Sequence, residues 1–114
     1  MSFSNATILI NRKGMGEAPQ ELQEKLIGTY LKLIDQNDML PGVICFYAEG
    51  VRLVTVGSKV LDTLRSLESK GVRLVLCGTC LDFFGLSEQV EVGIVGGMTD
   101  IIEAQSLAEK VITL

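Results

Sequence analysis

Histidine is missing from this 114-residue sequence. Its absence excludes His-based acid–base catalysis, His-ligated metals and the Ser-His and Cys-His nucleophile pairs. Among the side chains that remain, a cysteine with a perturbed pKa is the group best suited to titrate near neutral pH. The sequence contains three cysteines, Cys45, Cys77 and Cys80, which are therefore the first candidates for chemistry.

A basic surface and a set of aromatic rings are also lacking. The formal net charge is −4, aromatic residues make up 5% of the chain and there is no tryptophan. Proteins that bind nucleic acids neutralise phosphates with clustered Lys and Arg and stack bases on aromatic rings. The composition therefore argues against a nucleic-acid partner.

Targeting and membrane segments are not found either. No apolar run approaches the roughly 18 residues that cross a membrane, and the first residues lack the basic start and apolar core of a secretory signal. We therefore expect a cytoplasmic protein with no membrane partner, in which thiols stay mostly reduced. Cysteines in that compartment suggest reactivity or burial rather than a disulfide scaffold.

Short β-rich apolar runs alternate with helical stripes along the chain. The runs predicted as strands are residues 6–10, 43–47, 72–76, 90–95 and 110–114. The predicted helices are residues 17–36, with Pro19 in the first turn, 58–70, 81–85 and a segment that begins near Thr99. Residues 51–56 fit either a short strand or a packed loop.

This alternation predicts right-handed βαβ units and a mostly parallel sheet. The predicted fold class is α/β, a three-layer α/β/α sandwich with about five strands, in a single domain over residues 1–114. Functional groups of such sheets gather outside the carboxyl ends of the strands. The loops expected there are residues 11–16, 48–57 and 77–85.

The segment Cys-Gly-Thr-Cys at residues 77–80 is the candidate site. We expect Cys77 to end a strand and Cys80 to lie at the start of a helix, so that the two sulfurs come close together. Free N–H groups at a helix start stabilise a thiolate, which is the nucleophilic form. Cys77 is thus positioned to attack a sulfur or selenium donor, and Cys80 to resolve the product.

The same cysteine pair also fits three different roles, which the residues alone leave open. Two cysteines supply half of a tetrahedral zinc site, which two subunits would have to share. A structural pair of small buried thiols is the second role, and a dithiol–disulfide oxidoreductase is the third. Cys45 lies between Ile44 and Phe46 in an apolar run and is expected to fill the core.

No cofactor and no metal site are predicted. The loop Gly14-Met15-Gly16 follows the first strand as a dinucleotide-binding loop would, but Pro19 stands in place of the third glycine. A loop that lines a cleft or a subunit interface is the simpler interpretation.

Residues 71–86, with the block CGTCLDFFGL, resemble the C-terminal DsrE-like domain of YedF-type selenium metabolism proteins. The similarity extends back through residues 50–53 and 57–61 and forward through Val92-Gly93 and Met98, and so covers nearly the whole chain. The sequence departs from that family at Gly97, where an Asn is common, and in residues 11–19, which lack the family's acidic turn.

The resemblance implies properties that the residues alone do not. It implies a parallel five-stranded sandwich (DsrEFH-like) that assembles as a homotrimer or homohexamer. It also implies a persulfide on a cysteine that follows a central strand, and Cys77 is the residue of this sequence that matches that cysteine. It also implies a TusA-like sulfur-carrier protein as a partner, because such a domain usually precedes this one. The predicted function is a cysteine-based sulfur or selenium carrier, or a sulfurtransferase-like protein. The alternative is a non-catalytic, oligomeric partner-binding module with structural cysteines.

Overall fold

A sheet of five parallel strands lies at the centre of the protein, whose computed structural model describes residues 3–114. The strands are β1 (Ala6–Ile10), β2 (Val43–Phe46), β3 (Arg73–Cys77), β4 (Ile94–Gly96) and β5 (Lys110–Thr113). Their spatial order is β4-β3-β2-β1-β5, and every neighbouring pair is parallel. The predicted α/β fold with a five-stranded parallel sheet is therefore confirmed.

Helices connect the strands. They are α1 (Gln20–Gln36), α2 (Leu61–Ser69), α3 (Gly78–Phe83) and α4 (Met98–Leu107), and a 3-10 helix spans Ala48–Val54. None of the helices in the described part of the chain is long and apolar enough to cross a membrane.

The order of the strands determines which face of the sheet each helix covers. From β1 to β4 the chain moves in one direction across the sheet, and it then returns past β1 to β5. Right-handed crossovers therefore place α1 and α2 on one face and α4 on the other. The Thr7 hydroxyl, which donates to the Ala104 carbonyl oxygen at 3.1 Å, ties β1 to α4.

The core lies mainly between the sheet and α1 with α2. All five residues of β1 are buried, as a strand covered on both faces requires. The buried residues of α1 are Ile27, Leu31 and Ile34, whose spacing puts them on one side of the helix. The apolar face predicted from the sequence was Leu22, Leu26, Tyr30, Leu33 and Ile34; of these only Ile34 is buried, and Leu22, Leu26 and Leu33 are exposed.

Several predicted boundaries are wrong; helix α3, for example, begins at Gly78 rather than at residue 81. Helix α1 begins at Gln20 rather than at residue 17, and Pro19 is the residue before it, with φ −53° and ψ 144°. Strand β4 is shorter than residues 90–95, because Val90 instead forms an isolated antiparallel bridge with Thr55. The ambiguous residues before Val56 belong mostly to the 3-10 helix Ala48–Val54.

Gly50 fixes this 3-10 helix against the end of β1. A Cβ atom on Gly50 would lie 2.1 Å from the Ile10 carbonyl oxygen, which is far inside contact distance. The Tyr47 amide also donates to this oxygen at 3.1 Å. Only glycine therefore lets the segment after β2 approach the carboxyl end of β1 so closely.

We predict that Gly50→Ala lowers the free energy of unfolding by about 1–3 kcal/mol, because the backbone must move to accept the methyl group. Gly28→Ala is the control: Gly28 lies within α1 and an added Cβ meets nothing within 4 Å. That change should instead stabilise the protein by roughly 0.5–1 kcal/mol. Urea denaturation measures both, and a Gly50→Ala variant as stable as the parent would contradict the tight approach of these two backbone segments.

Candidate functional site

Cys77 and Cys80 lie where β3 passes into α3. Cys77 is the last residue of β3, and α3 begins at the next residue, Gly78. Cys80 is the third residue of the helix and lies in its first turn, near the helix start as expected. Residues three apart in such a turn face the same side, and Cys77 is close enough to Cys80 to contribute to the raised pKa of Cys80. The structure thus brings the predicted pair together.

The two thiols differ in exposure. Cys77 is 2% exposed and belongs to the core, whereas Cys80 is partly exposed. Solvent and reagents therefore meet Cys80 before they meet Cys77. Both cysteines are free thiols, as is Cys45.

The backbone N–H of Ala48 donates a hydrogen bond to the Cys80 sulfur at 3.1 Å. Ala48 follows β2, whose carboxyl end lies beside that of β3. Its φ of 50° is in the left-handed region, which is uncommon for a residue with a Cβ. Strained backbone of this kind costs about 1–2 kcal/mol and clusters at functional sites. Here the strained residue directs its N–H at a candidate sulfur.

The pKa of Cys80 is raised above its ordinary value. Burial is the largest cause, the hydrogen bond to Cys77 and the charge of that residue add to it, and the Ala48 N–H opposes them. Cys80 therefore keeps its proton at neutral pH and can donate its S–H to the Cys77 sulfur. The Ala48 N–H therefore lies on one side of the Cys80 sulfur, and Cys77 lies one turn before it.

The dipole of α3 contributes less than the sequence suggested. The helix has only six residues, whereas the full effect of a helix dipole needs several aligned turns. The sequence reasoning missed Ala48, because its contact with Cys80 spans 32 positions and a backbone N–H carries no residue signature. The prediction that functional groups gather at the carboxyl edge of the sheet was the one signal that pointed to it.

Cys45 has no part in this arrangement. Its side chain is fully buried in β2, and burial raises its pKa to about 11, although the charge of Arg73 opposes the shift. The thiol therefore stays protonated at all physiological pH values. The expectation that Cys45 fills the core agrees with this position.

The residues that follow the cysteines do not contact the thiol pair in the contacts described below. The Asp82 carboxylate accepts a hydrogen bond from the Ser87 hydroxyl, so its role is to stabilise the turn after α3. Phe84 packs under the Arg52 guanidinium, which lies 4.4 Å from the ring centroid. Phe83 is 83% exposed and is therefore not the packing group that its apolar character suggested.

Two further polar residues follow neighbouring strands at this edge. The Asn11 amide donates to the Tyr47 hydroxyl at 3.4 Å, so the ends of β1 and β2 are joined by side chains. The side-chain oxygen of Asn11 is buried without a hydrogen-bond partner. Within residues 3–114, no group of three or more Cys, Asp or Glu side chains is placed to hold a metal ion.

Together the fold and the site define a class, a parallel α/β sandwich with a thiol pair after the interior strand β3. A family model described as "DsrE/DsrF-like family" matches residues 9–114. The chain therefore belongs to the DsrE/DsrF-like family. The finer resemblance to YedF-type proteins stays a prediction.

Solved structures share the fold across their whole length. MTH1491 from Methanobacterium thermoautotrophicum, a protein of unknown function, gives a TM-score of 0.69 at 17% identity and covers 96% of this chain and 97% of its own. The ychN protein from E. coli gives 0.64 at 17% identity, with 100% of both chains covered. BT1422 from Bacteroides thetaiotaomicron, also of unknown function, gives 0.69 at 15% identity and covers 100% and 98%. No curated protein matches the sequence.

We predict that iodoacetamide labels Cys80 of the folded protein well before Cys45, because Cys45 is buried and protonated. Below its raised pKa, the labelling rate of Cys80 should increase about tenfold per pH unit, since only the thiolate reacts. Mass spectrometry of peptides from timed samples measures both rates. Equal labelling of Cys45 and Cys80 in the folded state would contradict the assignment, and unfolding in urea serves as the control in which both react.

Proposed function

We propose that the Cys77–Cys80 pair accepts a sulfane sulfur or selenium atom, holds it on Cys77 as a persulfide or selenopersulfide, and passes it on. The observation that carries the proposal is the pair of free thiols, one turn apart, where the interior strand β3 passes into α3. Of the two sulfurs, Cys77 is the one that the Cys80 S–H can stabilise as an anion.

The burial of Cys77 favours a carrier. A persulfide is reactive, and a sulfur that is 2% exposed is protected from water and from stray thiols. Cys80, one turn later, is the more exposed of the two thiols and is the one that a donor meets first.

The transfer needs no outside oxidant or reductant. The Cys77 thiolate attacks the sulfane sulfur of a donor, a new S–S bond forms, and the donor's S–S bond breaks with its electron pair leaving on the donor. In the second step, a thiolate of the acceptor attacks the terminal sulfur, which becomes the acceptor's persulfide. Cys77 leaves as the thiolate that began the cycle.

Membership of the DsrE/DsrF-like family supports this chemistry. Characterised members such as TusD and DsrE carry sulfur as a persulfide, and Cys77 takes the place of their cysteine in the family resemblance. We propose a TusA-like sulfur-carrier protein as the exchange partner. The proposal places the protein in the cytoplasm, where thiols stay reduced.

We further propose that the chain forms a homo-oligomer, a trimer or a hexamer, through the edge of β4. At this edge Ile94 is 72% exposed and Val95 is 53% exposed, and Met98 and Ile102 of α4 add exposed apolar surface. An edge strand also presents unpaired backbone groups, and contiguous exposed apolar surface marks interaction sites.

Exposure to a persulfide donor should leave a peptide containing Cys77 heavier by one sulfur atom. We expect Cys77→Ser to abolish the adduct, and Cys80→Ser to retain it on Cys77 but shorten its lifetime, because the S–H donor is lost. Mass spectrometry under non-reducing conditions measures the adduct, and Cys45→Ser is the control that should behave as the parent. Absence of any adduct on Cys77, with the thiols shown to be free, would reject the carrier proposal.

Light scattering after size-exclusion chromatography tests the oligomer. We expect Ile94→Glu to convert the trimer or hexamer to monomers, because a carboxylate cannot be buried in an apolar contact without a partner. Leu33→Glu is the matched control, since Leu33 is 51% exposed on α1, away from β4. A monomeric parent protein would refute this part of the proposal.

The burial of Cys77 also favours a second candidate, a non-catalytic module that binds a partner protein or its own copies. In that case the thiols are structural and fill space between β3 and α3. Cys77→Ser would then lower the free energy of unfolding, and neither the parent nor any variant would accept sulfur. The donor experiment therefore separates the two functions.

A further inference from the structure

A basic cleft lies beside the thiol pair, in a protein whose net charge is −4. Its volume is about 520 Å³. The residues that line it are Arg12, Lys13, Gln20, Gln23, Glu49 and Arg52. Three of these side chains are cationic and one is a carboxylate, so the cleft has an excess of positive charge.

Two glycines bring the cationic residues together. A Cβ atom on Gly14 would lie 2.5 Å from Gln23, so only glycine lets the loop after β1 pack against the first turns of α1. The Met15 amide then donates to the Gln23 carbonyl oxygen at 3.0 Å. Gly50 seats the 3-10 helix against the end of β1, and this helix contributes Arg52 to the cleft that Arg12 also lines. The cleft is thus a consequence of tight backbone packing rather than of mobile surface side chains.

Arg12 is the cation that lacks a counter-ion. Lys13 pairs with Glu24 at 3.4 Å, and Arg52 pairs with Glu49. Across residues 3–114 no ion pair is found for Arg12, and its Nε is buried without a hydrogen-bond partner. A buried donor without a partner costs about 1–3 kcal/mol, and the charge of Arg12, which lines the cleft, is left for an anion to neutralise.

The cleft and the thiol pair share a wall. The 3-10 helix Ala48–Val54 contributes Glu49 and Arg52 to the cleft, and its first residue, Ala48, donates to the Cys80 sulfur. On the other side, the Arg52 guanidinium lies over Phe84, the residue after α3. A molecule held by Arg12 and Arg52 is therefore next to the segments that contact Cys80.

We propose that this cleft binds the anionic group of a small sulfane donor and presents its outer sulfur to the pair. The planar guanidinium of Arg12 suits an oxyanion or carboxylate, because it can donate two parallel hydrogen bonds. The inference rests on the proposed carrier function and names its substrate class, a small donor that carries an oxyanion or a carboxylate.

Inorganic thiosulfate is the probe with this chemistry. The Cys77 thiolate attacks the outer sulfur, an S–S bond forms on Cys77, and the S–S bond of thiosulfate breaks. Sulfite leaves with the electron pair of that bond, so charge and atoms balance without a further reactant. The negative oxygens that remain in the cleft throughout are those of the leaving group.

Thiosulfate binding is measured by calorimetry on the Cys77→Ser/Cys80→Ser protein, which cannot react. We expect Arg12→Gln to weaken binding at least about tenfold, because a hydrogen bond to a charged group is lost. Glu49→Gln should tighten binding several-fold, since it removes the cleft's carboxylate and frees Arg52. Arg65→Gln is the control: Arg65 pairs with Asp62 and Glu91 outside the cleft.

The outcomes separate this inference from the proposed function. If thiosulfate binding depends on Arg12 but the parent protein forms no sulfur adduct on Cys77, the anion-binding role of the cleft is supported and the carrier function is rejected. If the parent, Arg12→Gln and Arg65→Gln proteins take up sulfur from thiosulfate equally, the carrier function is supported. The proposal that the cleft binds the donor is then overturned. Urea denaturation of each variant confirms that it is folded, and loss of binding in Glu49→Gln as well as Arg12→Gln would also overturn the proposal.

Discussion

The contact between Gly50 and the Ile10 carbonyl oxygen is the constraint on which the carboxyl edge of the sheet depends. It holds the 3-10 helix across the end of β1 and thereby fixes the turn that begins at Tyr47. That turn forces Ala48 into the left-handed region and directs its N–H toward the Cys80 sulfur. The same helix presents Arg52 to the cleft, so one backbone contact positions both the thiol pair and its neighbouring charges.

The three cysteines show how environment separates residues of one type. Cys45 is enclosed by apolar strands, and without a polar partner its thiol keeps its proton up to a pKa of about 11. Cys80 is also shifted upward, but it has a donor on one side and a second sulfur on the other. Cys77 therefore has the thiol of Cys80 beside it, whereas Cys45 has no such neighbour. Hydrogen bonding, rather than burial alone, distinguishes the candidate site from the core.

Local patterns were enough to predict the strands, the parallel sheet and the position of Cys77 at a strand end. Local patterns do not predict features that depend on contacts with backbone far away in the sequence. The shortening of β4 follows from the bridge between Thr55 and Val90, which no periodicity indicates. Helix α3 begins at Gly78, so Cys77 and Cys80 are one turn apart. The sequence pattern predicted instead that this helix begins at residue 81. The Ala48 contact is a main-chain feature and has no signature in the sequence.

The pairing of β1 with β5 has a consequence for how the protein is made. Strand β1 is synthesised before the other four strands, yet one of its two neighbours, β5, is the last of the five. The bond from the Asn5 side chain to Glu109 spans 104 positions, and contacts of such long range slow folding. Until β5 is synthesised, an apolar strand presents an open edge in a nascent chain, which is a hazard for aggregation. The interval between the synthesis of β1 and that of β5 is thus the stage at which this sheet is most exposed to aggregation.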